Sequence, residues 1–437
     1  MKPLTGNFIS IKAWPGFEAH LGAEVVSIST AELQRGKVCS VNVTLTHPWG
    51  NDEGIGGGGW VAGGGEADLV VPVIQGDIAA STNAGGQGFF PEGSTGPDLG
   101  LFVDFASRSL HEMTLVGKQL AKSLGSSCPA LAEPYARNLV AQFMMNYVGV
   151  IPSQCELAVF RKTGIDKCDE LDGVKDGIIS NVQACEFDPF TVVGTKVECY
   201  GKQITISDKI AEIVKLVDEG PRSSAGVQLW DGYDYGVDSS YLLRSLTDED
   251  GETTLFLDPS LGTWVRLFLK EDPNYDLTSI KTPEEVTELF AAAYSQYGVF
   301  IGTGDPDLTA FRQNGGKLLS WHGLGDNIIM ANNTLRYRNQ VEQVMGGKDR
   351  VNNFYRLFLA PGVGHCADGY GPMPTSPLNT LVDWVEKNKV PATLAANFTD
   401  TEGKQVKRNL CLWPLVSKYK GKGDVRSAAS YSCQESY

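Results

Sequence analysis

The sequence predicts an α/β protein, a parallel sheet covered by helices, and two observations carry that expectation. From about residue 311 the segments "KLLSWHGLGD", "NTLRYRNQVEQVM", "NFYRLFLA" and "PLNTLVDWVEKN" alternate between strand-like and helix-like patterns. Such alternation argues for parallel strands with helices packed on them. Nearer the start, Asp104 to Leu124 places Leu110, Met113, Val116, Leu120 and Leu124 at spacings of three and four, the stripe of an amphipathic helix.

Between these regions the pattern changes. Residues 151–310 are acidic, with irregular loops such as "SLTDEDGETTLFLDPS" and few strong strands. The expected organisation is therefore a core made from 1–150 and 311–437, interrupted by an inserted segment at 151–310. The 437 residues suffice for a large core with such an insertion.

Composition excludes several functions. Hydrophobic residues at 42% and charged residues at 20% are ordinary for a soluble globular chain. Thirty-seven basic against 52 acidic residues give a net charge of −15, which argues against nucleic acid or an anionic membrane as partner. No apolar run approaches the ~18 residues of a membrane span. The opening "MKPLTGNFISIKAW" has no apolar core of a signal peptide. The nine cysteines, with Asn-x-Ser/Thr sequons at Asn42, Asn332 and Asn397, nevertheless suggest a secretory, oxidising history. No CxxC pair occurs, so zinc or thioredoxin chemistry is not expected. The alternative is a cytosolic chain with free thiols.

Catalytic side chains of such sheets sit in loops at the carboxyl ends of strands. Asp326 follows "LLSWHGLG" and His365 follows "RLFLAPGVG". This is the order of acid and base in an α/β-hydrolase, whose nucleophile comes earlier in the chain. An aspartate accepting the Nδ1 proton fixes the imidazole tautomer and stabilises the imidazolium of acyl transfer. Spacing alone equally allows a surface Asp and a capped His. The run "GIGGGGWVAGGGE" offers Gly57, Gly58 and Gly59 as backbone N–H donors to an oxyanion, each such donor typically worth ~3 kcal/mol of barrier. No Lys-Ser/Thr follows, so a phosphate cradle is disfavoured.

The strings "GGGGWVAGGGE", "ASTNAG", "DFASRSLHEMT", "CDELDGVKDGII", "SWHGLGD" and "GVGHC" together resemble the tannase and feruloyl esterase family of secreted α/β-hydrolases, over nearly the whole chain. The resemblance implies an α/β-hydrolase core, with Asp326 as acid and His365 as base. It also implies that 151–310 is a lid taking the aromatic part of a small ester substrate. In "CDELDGVKDGII" three close carboxylates repel one another unless a hard cation neutralises them. The resemblance implies a structural calcium ion on Asp169, Asp172 and Asp176 and the carbonyls of Val174 and Ile178, although the spacing is not that of an EF-hand. It further implies the disulfides Cys168–Cys185 and Cys411–Cys433. Cys155–Cys199 and Cys39–Cys128 are then expected for the rest.

One departure is conspicuous. The family's serine lies in a Cys-Ser-x-Gly-Gly elbow, after one more strand beyond the helix ending here at Leu124. This chain instead runs from "KQLAKSL" through "GSSC" into "PALAEPYARNLVAQFMMN", and no G-x-S-x-G occurs. In the family the elbow cysteine bonds the one beside the catalytic histidine, so Cys366 is expected to be unpaired. Three readings stand: an esterase whose sequence lacks a segment, a ligand-binding protein without turnover, or an esterase using Ser127 or Ser126 instead. The central sheet is expected to be incomplete, because deleting an inner strand orphans ladder hydrogen bonds on both neighbours. Poor expression is the corresponding expectation.

Overall fold

The computed structural model describes residues 98–108, 144–145, 147–248, 250–256, 264–301, 304–365 and 368–436, and the backbone of three strands nearer the start. Its contacts divide the chain into two units: 1–135, 263–275 and 291–303 in one, 136–262, 276–290 and 304–437 in the other.

In the first unit β1 (Ala23–Leu33), β2 (Gly36–Leu45) and β3 (Asn51–Asp52) form an antiparallel ladder. Helix α1 (Leu99–Val103) continues through π-type turns at Asp104–Arg108. The helix thus starts earlier than its apolar stripe suggested. Asp98 supplies the cap, its carboxylate accepting from the Gly100 and Leu101 amides. Asp104 is instead an internal residue paired to Arg108 at 2.8 Å. Residues 109–124 of the expected helix lie outside the described residues. Phe102 packs on Trp264, Phe268 and Tyr297 with ring centroids 4.8–6.4 Å away.

The second unit carries residues 136–262 and 276–290 and the α/β repeat. Ser153 and Glu156 close a reciprocal capping box at the start of α2 (Gln154–Cys168). Short hairpins β4–β5 (Lys196–Cys199, Lys202–Thr205) and β6–β7 (Ser245–Thr247, Thr253–Leu255) flank α3 (Asp208–Glu219). That helix buries Ile210, Ile213, Val214 and Val217 along one stripe. Helix α4 (Pro283–Ile301) leads to the short α5 (Thr309–Gln313).

Then come β8 (Leu318–Gly323), α6 (Ala331–Met345), α7 (Lys348–Asn352) and β9 (Tyr355–Ala360). Strands β8 and β9 pair in parallel, Leu318 opposite Tyr355 and Gly323 opposite Ala360. The near-continuous apolar run of β9 suits a strand covered on both faces. Leu357, Phe358 and Ala360 are fully buried. Leu335, Val341 and Met345 of α6 pack on one side, and Leu394, Ala396 and Leu410 on the other. The latter belong to a ladder of β10 (Met373–Pro374), β11 (Thr393–Thr399) and β12 (Gln405–Cys411). Helix α8 (Pro377–Lys387) follows β10, and the hairpin β13–β14 (Val416–Tyr419, Tyr431–Gln434) closes the chain.

Candidate active site

Strands β8 and β9 end side by side, so the loops that follow them meet. The Leu324 amide donates to the Ala360 carbonyl and the Gly325 amide to the Val363 carbonyl, each at 2.9 Å. Glycine makes this approach possible. A Cβ on Gly323 would overlap the Val363 carbonyl oxygen, and one on Gly362, at φ +69°, would overlap that of Tyr370. The second loop then turns back through a bridge between Val363 and Gly369, which projects His365 toward the first loop.

The two expected catalytic residues are brought together. His365 Nδ1 lies 3.2 Å from Asp326 Oδ2. An ionised carboxylate only accepts, so Nδ1–H is the donor. The amides of Ile328 and Ile329 donate to Asp326 Oδ1 at 2.8 and 2.7 Å. Burial pushes this carboxyl's pKa up, but His322, His365 and the two amides outweigh it and hold it well below the ordinary range. Asp326 therefore stays a carboxylate, able to stabilise an imidazolium without taking its proton. Among the described residues Nε2 of His365 has no hydrogen-bond partner.

A neighbour that sequence reasoning missed is His322, four residues before Asp326. Its Nε2 lies 3.4 Å from Asp326 Oδ2 and 2.8 Å from the Ile329 carbonyl, and its Nδ1 lies 2.8 Å from Thr334 Oγ1. Only the string "SWHGLGD" hinted at it. Upstream residues also reach this region: Tyr233 Oη donates to the Asn327 carbonyl at 2.5 Å, and Asn332 Nδ2 of α6 donates to Asp234 Oδ1 at 3.2 Å.

The acidic loop folds around Asp169, which accepts from the amides of Asp176, Gly177 and Ile178 at 2.9–3.3 Å. Asp172 accepts from the Val174 amide at 3.0 Å, and Asp176 Oδ2 pairs with Arg408 at 3.0 Å. Asp176 Oδ1 is buried with no partner among the described residues. Burial, then Asp172, pushes the Asp176 pKa up to about 6, and burial also raises Asp172. Among the described residues no three Asp, Glu, His or Cys side chains already form a metal cage.

Disulfides join Cys155 to Cys199, Cys168 to Cys185 and Cys411 to Cys433. Gly57, Gly58, Gly59, Ser126, Ser127 and Cys366, and the side chains of the expected Cys39–Cys128 pair, lie outside the described residues.

The comparisons point one way. A model of the family "Tannase and feruloyl esterase" matches residues 135–434. The protein named "Probable feruloyl esterase" from Arthroderma benhamiae is 36% identical over 468 aligned positions, covering 92% of this chain and 86% of its own. That alignment is longer than the 437 residues here, so the relative has residues within it to which nothing in this chain corresponds. Feruloyl esterase B of Aspergillus niger is 25% identical, covering 94% of this chain and 89% of its own. Among solved structures, tannin acyl hydrolase from Aspergillus niger superposes with a TM-score of 0.78 at 22% identity, over 94% of this chain and 90% of that one. The fold is therefore that of an α/β-hydrolase, and the chain belongs to the tannase and feruloyl esterase family of carboxylic ester hydrolases.

Proposed function

We propose that Asp326 and His365 are the acid and base of a serine-esterase centre for small esters of aromatic acids. The observation that carries this is the contact of His365 Nδ1 with Asp326 Oδ2, on a carboxylate pinned by two backbone amides. Nε2 of the imidazole would accept the proton of the attacking alcohol and return it to the leaving group, while Asp326 holds the ring in that tautomer. A segment carrying the Cys-Ser-x-Gly-Gly elbow is the part this chain lacks, a reading supported by the relative's extra residues. The inserted segment 151–310 acts as lid, which the contacts of Tyr233 and Asp234 with the acid-loop region support.

The test is to graft the relative's elbow segment between Leu124 and Pro129 and assay methyl ferulate and methyl gallate. Loss of a triad serine typically removes ~10⁶ of kcat, so the ungrafted chain is expected to bind these esters without enzymic turnover. The graft should hydrolyse them, and H365A or D326N should abolish the gain. A folded graft that binds the esters but leaves them intact overturns the proposal. Turnover by the ungrafted chain that disappears in S127A would assign the nucleophile to Ser127.

A structural calcium ion on Asp169, Asp172 and Asp176 and the Val174 and Ile178 carbonyls belongs to the same reading. The orphaned Asp176 Oδ1 and the mutual repulsion of the carboxylates support it; Arg408 neutralises only part of that charge. Bound calcium would neutralise the loop. Chelation is expected to lower Tm, and added calcium to restore it, in the native chain but not in D176N.

Secretion is supported by the three disulfides. Glycosylation is assigned to Asn397, exposed on β11, and not to Asn332, whose amide already binds Gly232 and Asp234. On chain secreted from a fungal host, N397Q should remove one endoglycosidase-sensitive mass step and N332Q none.

A further inference from the structure

We infer that His322 is a positioning residue for Asp326, resting on the reading of Asp326 and His365 as acid and base. The geometry selects one tautomer. The Ile329 carbonyl can only accept, so Nε2 of His322 carries a proton. Nδ1 then accepts from the Thr334 hydroxyl. In this tautomer the one N–H faces both the Ile329 carbonyl at 2.8 Å and Asp326 Oδ2 at 3.4 Å.

Each oxygen of the acid consequently meets two donors. Oδ1 takes the Ile328 and Ile329 amides, and Oδ2 takes His365 and His322. The amides alone would leave the carboxylate free to swing Oδ2 about the Oδ1 anchor. A second donor at Oδ2, mounted on β8 and braced by Thr334 of α6, fixes the plane in which His365 is met. The imidazole also holds the Ile329 carbonyl, and so the turn whose amides grip Oδ1. His322 contacts Thr334, the Ile329 carbonyl and Asp326, and so acts through Asp326 and the turn that grips it.

The experiment is imidazole ¹⁵N–¹H correlation on the full chain with labelled histidine. His322 should show a protonated Nε2 and a bare Nδ1 at neutral pH. His365 should show a downfield Nδ1–H bonded to a carboxylate. In H322Q, whose side-chain amide can replace the Nε2 donor, the His365 signal should keep its position. In H322L it should move upfield or broaden away while the chain still melts cooperatively. A His322 protonated at Nδ1 overturns the inference, as does a His365 signal unmoved in H322L; the first readout needs no variant and so survives a misfolded H322L. D326N tests the underlying reading separately: if the His365 signal persists there, Asp326 is not its partner, whatever His322 does.

Discussion

At the scale of single residues, Asp326 has a measurable signature in acid. Its folded-state pKa lies below the ordinary 3.8. Its stabilising contribution is therefore fully present above about pH 4 and is lost as pH falls through the folded value. The stability difference between the native chain and D326N should be constant at neutral pH and shrink below pH ~4; denaturant midpoints across that range measure it. A difference that widens in acid would contradict the donor arrangement around the carboxylate. Arg338 offers a second case, wholly buried and bonded to the Tyr355 carbonyl, Glu342 and Asn352 at 2.7–3.0 Å. Truncation leaves these groups without their cation, and R338A should lose about 3–5 kcal/mol in equilibrium unfolding. Asp326 and His365 were legible because each follows an apolar strand and a glycine turn. His322 was not, because its role depends on how residues 327–329 fold back over β8, and no local pattern encodes that.

At the scale of elements, the junction of the β8 and β9 loops is the sensitive point. Replacing Gly323 by Ala puts a methyl group into the Val363 carbonyl. The loops must separate, at a cost of roughly 1–3 kcal/mol or more, and the Asp326–His365 contact should go with them. G323A is expected to lower Tm and erase the downfield His365 Nδ1–H; retention of both would show that the backbone contact is dispensable. Capping is milder. S153A removes one half of the box that starts α2 and should lose about 1 kcal/mol. The strands β8 and β9 and the helices α6 and α8 could be read from hydrophobic period alone, because each carries an apolar run or stripe in its sequence. The start of α1 could not. "GPDLGLF" reads as a turn, and only the capping carboxylate of Asp98 shows that the helix begins there.

At the scale of the whole molecule, covalent links concentrate in the second unit, where all three described disulfides lie. Cys168–Cys185 closes a 17-residue separation around the acidic loop, a constraint worth on the order of 3 kcal/mol in the chain-entropy view. C168S/C185S should lower Tm and weaken the stabilisation proposed for calcium; an unchanged calcium response would mean the loop is shaped by its hydrogen bonds alone. The family and its architecture were legible from rare strings such as "CDELDGVKDGII". The division into units was not, because pieces far apart in sequence build each of them. The hydrogen bonds from Leu324 and Gly325 to Ala360 and Val363 have a last consequence. They hold the Asp326 and His365 loops to each other main chain to main chain, while Tyr233 ties the first of them to the upstream chain. Any group that approaches Nε2 of His365 therefore meets a ring whose other nitrogen is already held by a carboxylate.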